Sequence, residues 1–243
     1  MNATDQKAIA VERMFSSIAS RYDLLNHLLS LGFDIRWRNR AVAAFPGGVY
    51  GKKILDVACG TGDLAITLAG AGDDSTQVIG GDFSSNMLAI GQEKVAKAGL
   101  GSRLSLEFLD ALNIGHPDGS FDGVTCAFGV RNFADLDRGL MEMVRVLKPG
   151  GRMVILEFTT PTNHVIAAAY RLYFTRILPF IGGVISGNRG AYEYLPDTVY
   201  KFPTPDQLSS RLENMGLSEV GFTPLTFGIC GIHTGVKPAP REG

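Results

Sequence analysis

The sequence predicts an α/β protein built on a doubly wound, mostly parallel sheet of seven strands. Short apolar runs alternate with segments of helical spacing between Lys53 and Phe158, which is the rhythm of βαβ units with helices on both faces of a sheet. A turn with two glycines, Gly60-Thr61-Gly62, separates the first apolar run from the first of these helices. Two β-like runs near the end, Glu219 to Phe227 and Gly228 to Val236, are placed to complete the sheet as a hairpin.

The elements follow in order. A helical lead-in from Asp5 to about Phe45 carries Val11, Phe15, Ile18, Leu25, Leu28 and Leu29 at helical spacing and stops at Pro46-Gly47-Gly48, a strong breaker cluster. Strands are expected at Lys53 to Ala58, Gln77 to Gly81, Leu104 to Leu109 and Phe121 to Phe128. Helices are expected from Asp63, from about Ser84 to Ala98 and from Leu136 to Leu147, and a fifth strand runs from Arg152 to Phe158 after Pro149-Gly150-Gly151. The stretch from His164 to Ser186 is an apolar, aromatic helix broken near Pro179 and Gly182-Gly183, and a helix from Pro205 to Met215 follows it. The tail from Lys237 is expected to be disordered. The whole chain, 1–243, reads as one domain, with 1–48 as a helical lead-in or lid and 160–204 as a helical insert on the substrate side.

Composition excludes several classes. A net charge of −1 gives no basic excess for nucleic acid. The cysteines, Cys59, Cys126 and Cys230, are far apart and odd in number, which suggests neither a disulfide framework nor a metal site and fits a cytoplasmic protein. No apolar run is long enough to span a bilayer, and the N-terminus lacks the pattern of a signal peptide.

The glycine turn is the first candidate site. A strand-to-helix turn without Cβ atoms lets a ligand approach the main chain and is read as exposing unpaired N–H groups. Gly60-Thr61-Gly62-Asp63-Leu64-Ala65 fits the G-x-G-x-x-G/A fingerprint, and Asp82 stands where a ribose-binding acid belongs. Asp56 and Asp63 bracket the turn with negative charge, which at an effective dielectric of ~20 costs a phosphate on the order of a few kcal/mol each. The same acids favour a cation. S-adenosylmethionine has a sulfonium and an ammonium but no phosphate, so it suits Asp56 and Asp63 at the turn and Asp82 at its ribose. Asp110 and Ala111, after the third strand, are assigned to the adenine, with Phe83 and Met87 flanking the ring. A helix cap at Asp63 and a hydrogen-bonded core acid at Asp56 are the structural alternatives.

The segments "DVACGTGD" at Asp56, "LDA" at Leu109 and "RVLKPGGRMVILEF" at Arg145 resemble the class I S-adenosylmethionine-dependent methyltransferases, a Rossmann-like fold. More narrowly, "RYDLLNHLLSLGFDIRWR" at Arg21, "FGVRNF" at Phe128 and "GNRGAYEYLPDTV" at Gly187 resemble the ubiquinone/menaquinone biosynthesis C-methyltransferase family, over about Val11 to Val236. The resemblance implies cofactor contacts at Thr61, Asp82, Asp110 and Ala111. It also implies methylation of a ring carbon of a prenylated quinol, without a metal. Two positions depart from the family: Ala127 replaces a frequent serine, which leans toward a menaquinone-only enzyme, and the fifth strand continues into Thr159-Thr160 rather than serine.

For such a reaction Arg131, at the end of the fourth strand, is the candidate for stabilising a phenolate or orienting a water as base, with Asn132 positioning it. An ion pair of Arg131 with Asp135 is the structural alternative. His27 is a candidate direct base. Tyr22, with Asp23, is expected in a lid, and Tyr192 and Tyr194 are expected to line the quinol pocket. The 164–186 helix is read either as buried, on the domain or at a homodimer seam, or as a wall for the prenyl tail resting on the membrane surface. The open alternatives are a benzoquinol substrate, another small methyl acceptor, a nicotinamide-dependent oxidoreductase and a non-catalytic cofactor-binding module.

Overall fold

The structure, a computed structural model, describes residues 3–177 and 189–239. Its sheet has seven strands in the order β3-β2-β1-β4-β5-β7-β6. They are β1 (Lys53–Val57), β2 (Gln77–Asp82), β3 (Leu104–Phe108), β4 (Phe121–Ala127), β5 (Leu147–Phe158), β6 (Ser218–Leu225) and β7 (Cys230–Val236). The first five pair in parallel, and β7 enters antiparallel between β5 and β6. The final hairpin therefore inserts its second strand, not its first, beside β5.

Eight helices accompany the sheet among the described residues: α1 (Ala3–Leu29), α2 (Phe33–Val42), α3 (Asp63–Ala71), α4 (Ser85–Lys97), α5 (Leu136–Val146), α6 (His164–Leu172), α7 (Arg189–Lys201) and α8 (Pro205–Asn214). Side-chain alternation on β5 divides the core. Val154 and Leu156 face one layer with Ile54, Leu64, Leu68 and Val95, whereas Met153 and Ile155 face the other with Leu140, Met143, Leu208 and Leu212. A period of two on a central strand buried on both faces produces this split. Local chemistry sets the helix starts. Ser84 and Asp135 each accept a main-chain N–H of their helix, and Thr204 with Gln207 forms a capping box before Pro205.

The lead-in is two helices, not one. Leu31 (φ 53°) and Gly32 (φ 76°) take left-handed backbone between them, and Gly32 N–H bonds to His27 O, so the chain turns after α1. The fifth strand begins at Leu147, earlier than expected, because Leu147 pairs with Phe121 of β4, and Gly150 and Gly151 then exchange main-chain bonds with Lys237. The β6–β7 connection, Thr226–Gly228, holds Thr226 (φ 45°) and Phe227 (φ 58°) in the left-handed region, each at a cost on the order of 1 kcal/mol for a residue with a Cβ. The insert reads as α6 followed by a π-helical turn, Tyr173–Ile177; its expected break at Pro179 and Gly182-Gly183 lies outside the described residues. No helix among the described residues is long and apolar enough to cross a membrane.

Candidate active site

The carboxyl ends of β1 and β4 lie side by side where the strand order reverses, the place at which ligands of such sheets sit. Two cavities open there. One, of 340 Å³, lies over the glycine turn, and its walls include Asp56, Gly60, Thr61, Asp82, Phe83, Met87, Asp110, Ala111 and Asn132. The other, of 360 Å³, is walled mainly by apolar and aromatic residues, with Arg131, Tyr194, Asp34 and Trp37 among them. Phe15, Tyr22, Asn26, Arg38 and Phe128 belong to both. The two spaces meet beneath α1.

The turn itself is more closed than its sequence suggests. Gly60 N–H donates to Asp82 Oδ2 at 2.8 Å, Gly62 N–H to Cys59 O at 2.9 Å, and Cys59 N–H to Gly81 O at 3.0 Å. These donors are spent within the protein, so they form no cradle for a pyrophosphate. Gly60 is needed for its left-handed backbone, φ 57°, rather than for space: a Cβ there would meet the Tyr22 ring only at an ordinary 3.9 Å. Gly62, by contrast, does not line the cavity. Its left-handed φ of 83° turns the chain into α3, and the site of a Cβ faces Leu106.

The charge around the turn also differs from the simple ring of acids. Asp63 is paired by Lys94 and, at 3.3 Å, by Arg38. Lys94 Nζ reaches Asp23 Oδ2 at 2.6 Å and Thr61 Oγ1 at 3.0 Å, and the Thr61 hydroxyl donates to Asp23 Oδ1 at 2.6 Å. Asp23 of α1 is thereby tied to the turn, and the Thr61 hydroxyl serves this tie. Burial raises the Asp56 carboxyl to about 7, against the opposing bond from the Thr125 hydroxyl at 2.7 Å. Burial raises Asp82 too, opposed by main-chain N–H groups of Ser84 and Gly60. What distinguishes the cavity is therefore unfilled acceptor capacity rather than net negative charge: Asp56 Oδ2 and Asn132 Oδ1 are buried without a hydrogen-bond donor among the described residues. An ammonium group fits those acceptors, and a phosphate does not.

Arg131 and Asn132 share one short 3₁₀ turn, Val130–Asn132, after β4. They face different cavities. Arg131 Nη1 pairs with Glu157 Oε1 at 2.7 Å and also donates to Phe128 O, to which Asn132 Nδ2 donates at 3.3 Å. Asp135 is not the partner of Arg131, because its side chain caps α5 through Arg138 N–H at 3.0 Å. The Arg131–Glu157 pair is buried, with side chains 6% and 1% exposed, and burial pushes the Glu157 carboxyl up while Arg131 pulls it down. Arg131 lies 5.5 Å from the centre of the Phe158 ring, which packs at a tilt, 4.7 Å centre to centre, on Phe128. Trp37 completes this aromatic wall, its indole N–H donating to the Thr226 hydroxyl at 2.8 Å.

Tyr22 lines both cavities, and burial raises its phenol. Tyr194 lines the apolar one, with a buried hydroxyl that has no partner among the described residues. The Tyr192 side chain lies outside the described residues. His27 lines neither cavity: its Nδ1 contacts Asp34 Oδ2 at 2.6 Å and its side chain is 39% exposed. Neighbouring positions on a helix point in different directions, so His27 does not follow the cavity-lining Asn26. His27, Asp34 and Asp63 cluster closely, but the Arg38 guanidinium bonds both acids and supplies the positive charge there.

Arg38, Lys94, Glu157 and Trp37 were missed in the sequence. Asp34 and Arg38 stand at i,i+4 on α2, a signal that was available. Lys94 and Glu157 meet their partners only through the tertiary fold, at separations of 71 and 26 residues.

Sheet order, the inserted antiparallel strand and the paired cavities define the Rossmann-like methyltransferase class. Solved structures share this fold, among them a SAM-dependent methyltransferase from Aquifex aeolicus (TM-score 0.61, 19% identity, covering 82% of this chain and 89% of that one). Another is a possible histamine N-methyltransferase from Thermotoga maritima (TM-score 0.64, 16% identity, 93% and 99%). The chain belongs to the ubiE/COQ5 methyltransferase family, whose profile matches residues 1–237. It is 52% identical to a demethylmenaquinone methyltransferase of Thermus thermophilus over 93% of this chain and 100% of that one. It is 46% identical to a ubiquinone/menaquinone biosynthesis C-methyltransferase UbiE of Geobacter sulfurreducens over 96% of this chain and 90% of that one.

Proposed function

We propose that this protein is an S-adenosylmethionine-dependent C-methyltransferase that converts demethylmenaquinol to menaquinol. The observation that supports it is the junction of two unlike cavities beneath α1, one with unfilled acceptors beside a glycine turn, the other apolar with a guanidinium in its wall. S-adenosylmethionine supplies the methyl group from its sulfonium when bound. Asp56 and Asn132 hold its ammonium, Arg38 its carboxylate, Asp82 the ribose, and Asp110 with Ala111 the adenine between Phe83 and Met87. Names of relatives such as the Deinococcus radiodurans demethylmenaquinone methyltransferase, 48% identical over 95% of this chain and 94% of that one, favour the naphthoquinol.

In the apolar cavity the quinol ring rests on the wall formed by Trp37, Phe128 and Phe158, and the prenyl tail follows Ile166, Ala169 and Tyr173. Arg131, held rigid by Glu157 and Phe128 O, stabilises the phenolate that makes the ring carbon nucleophilic and holds the water that takes the ring proton. Tyr194 offers its unpaired hydroxyl to a quinol oxygen. Tyr22, at the border of both cavities, excludes water from the transfer and helps to bring methyl and carbon to about 3–3.5 Å. His27 acts on this arrangement only through Asp34.

The direct test is incubation with methyl-labelled S-adenosylmethionine and a reduced demethylmenaquinone analogue, with a benzoquinol as competitor. Label in the naphthoquinol carbon is the expected result; label only in the benzoquinol, or in neither, refutes the assignment. Trp37 is the sole tryptophan and lines the apolar cavity, so a naphthoquinone analogue should quench intrinsic fluorescence saturably, whereas S-adenosylhomocysteine alone should leave most of it.

Asp56 adds a pH signature. Its carboxyl is raised to about 7 in the free protein, and a bound ammonium favours the charged form and lowers it. Cofactor binding at or just below pH 7 should therefore release a proton, and affinity should rise as pH increases toward 7 and then level off. Calorimetry in buffers of different ionisation enthalpy measures the release, which Asp56→Asn should abolish.

A further inference from the structure

The rim of the apolar cavity is built from two chain segments far apart in sequence. One is the α1–α2 turn, where Leu31 is 81% exposed at a φ of 53°, followed by Phe33 at 37% exposed. The other is the β6–β7 turn, where Phe227 is 79% exposed at a φ of 58°. Leu31, Phe33 and Thr226 line the cavity itself, and the bond from the Trp37 indole to the Thr226 hydroxyl ties α2, which follows the first turn, to the second turn. A single exposed apolar residue is ordinary. Here both turns place a large apolar side chain on left-handed backbone, where glycine or asparagine would be unstrained, and both direct it to solvent instead of the core. The strain is thus kept without any gain in burial.

Charge indicates what covers this rim. The Arg36 guanidinium lies 6.0 Å from the centre of the Phe33 ring, and exposed Arg176 follows Tyr173 of the cavity wall on the π-helical turn. Apolar tips with arginines beside them are the arrangement of a surface that enters the acyl region while its cations stay at the headgroups. The cavity behind the rim is continuous with it.

We propose that the mouth of the apolar cavity docks on an anionic lipid bilayer, with Leu31, Phe33 and Phe227 among the acyl chains and Arg36 at headgroup level. A prenylated substrate then passes from bilayer to cavity without crossing water. That consequence rests on the quinol reading, whereas the docking itself does not.

The test is sedimentation of the full-length protein with phosphatidylglycerol/phosphatidylcholine vesicles containing no quinol. Wild-type protein should co-sediment, about fivefold more weakly with pure phosphatidylcholine. Phe227→Asn, which suits the left-handed backbone, combined with Arg36→Gln should weaken binding by about tenfold or more. Methyl transfer to a short-tailed quinol in detergent-free solution should stay within about twofold of wild type and so certify the fold. Turnover of a long-tailed quinol in vesicles should fall with the binding. Failure of wild-type protein to bind anionic vesicles, or equal binding by the double variant, overturns the proposal. So does a wild-type dimer in light scattering that Phe227→Asn dissociates, because the face is then an interface between copies. Absence of transfer to the short-tailed quinol by wild-type protein counts against the catalytic assignment alone and leaves the vesicle result standing.

Discussion

Arg131→Ala is expected to lower turnover by about 10²–10³-fold, the usual loss when one preorganised charge-stabilising donor is removed, while the dissociation constant for S-adenosylmethionine changes little. The separation follows from placement, since Arg131 lines the apolar cavity and not the one over the glycine turn. A second effect accompanies it. Glu157 is 1% exposed on its side chain and has Arg131 as its ionic partner, so the variant strands a buried carboxylate at a cost of about 3–5 kcal/mol. Glu157 can reduce that cost by taking a proton, because burial has already raised its pKa. Arg131→Ala with Glu157→Gln should therefore recover much of the thermal stability and none of the turnover. Turnover of the double variant within tenfold of wild type would show that Arg131 only balances Glu157.

Asp82→Ala should act on the other cavity. Asp82 receives Gly60 N–H and Ser84 N–H, each at 2.8 Å, and so shapes both the turn after β1 and the start of α4 while lining the cavity to which the proposed function assigns the cofactor. Hydrogen bonds to a charged group contribute about 1.5–3 kcal/mol each, so losing a two-point grip on the ribose should weaken S-adenosylmethionine binding by at least about 10²-fold. Asp82→Asn should weaken binding less, since its remaining oxygen still accepts one of the two main-chain N–H groups while the amide nitrogen opposes the other. Calorimetric titration decides the matter. Affinity within threefold of wild type would remove Asp82 from the cofactor site.

The sheet could be read from the chain because its signals are local. Each central strand is a short apolar run, with Asp82 closing β2 and Asp110 standing two residues past the end of β3. The order of the last two strands could not be read this way, because a hairpin has the same pattern whichever arm joins β5; packing of β7 against β5 decides it. The glycine turn gave its position correctly but misled on its chemistry. Whether Gly60 N–H is free depends on Asp82, and whether Asp63 is bare depends on Lys94 and Arg38, none of which is adjacent in sequence. His27 and Gly62 stood in stretches that do belong to the site region, but helix phase at His27 and backbone handedness at Gly62 turn them from the cavities. Arg131 is singled out by its place after a strand end, and the structure puts it in the wall of the apolar cavity; its partner Glu157 belongs to the neighbouring strand and was hidden by distance in the chain.

The tie from Asp23 to Lys94 and Thr61 fastens α1 across the roof of both chambers. The space over the glycine turn consequently lies behind a fastened helix, whereas the apolar chamber keeps its own mouth between Leu31, Phe33 and Thr226. On the proposed assignment, release of the spent nucleoside requires that helix to be unfastened, so each catalytic cycle undoes and remakes the same handful of polar contacts. The pace of the enzyme then belongs to the hinge as much as to the bond being made.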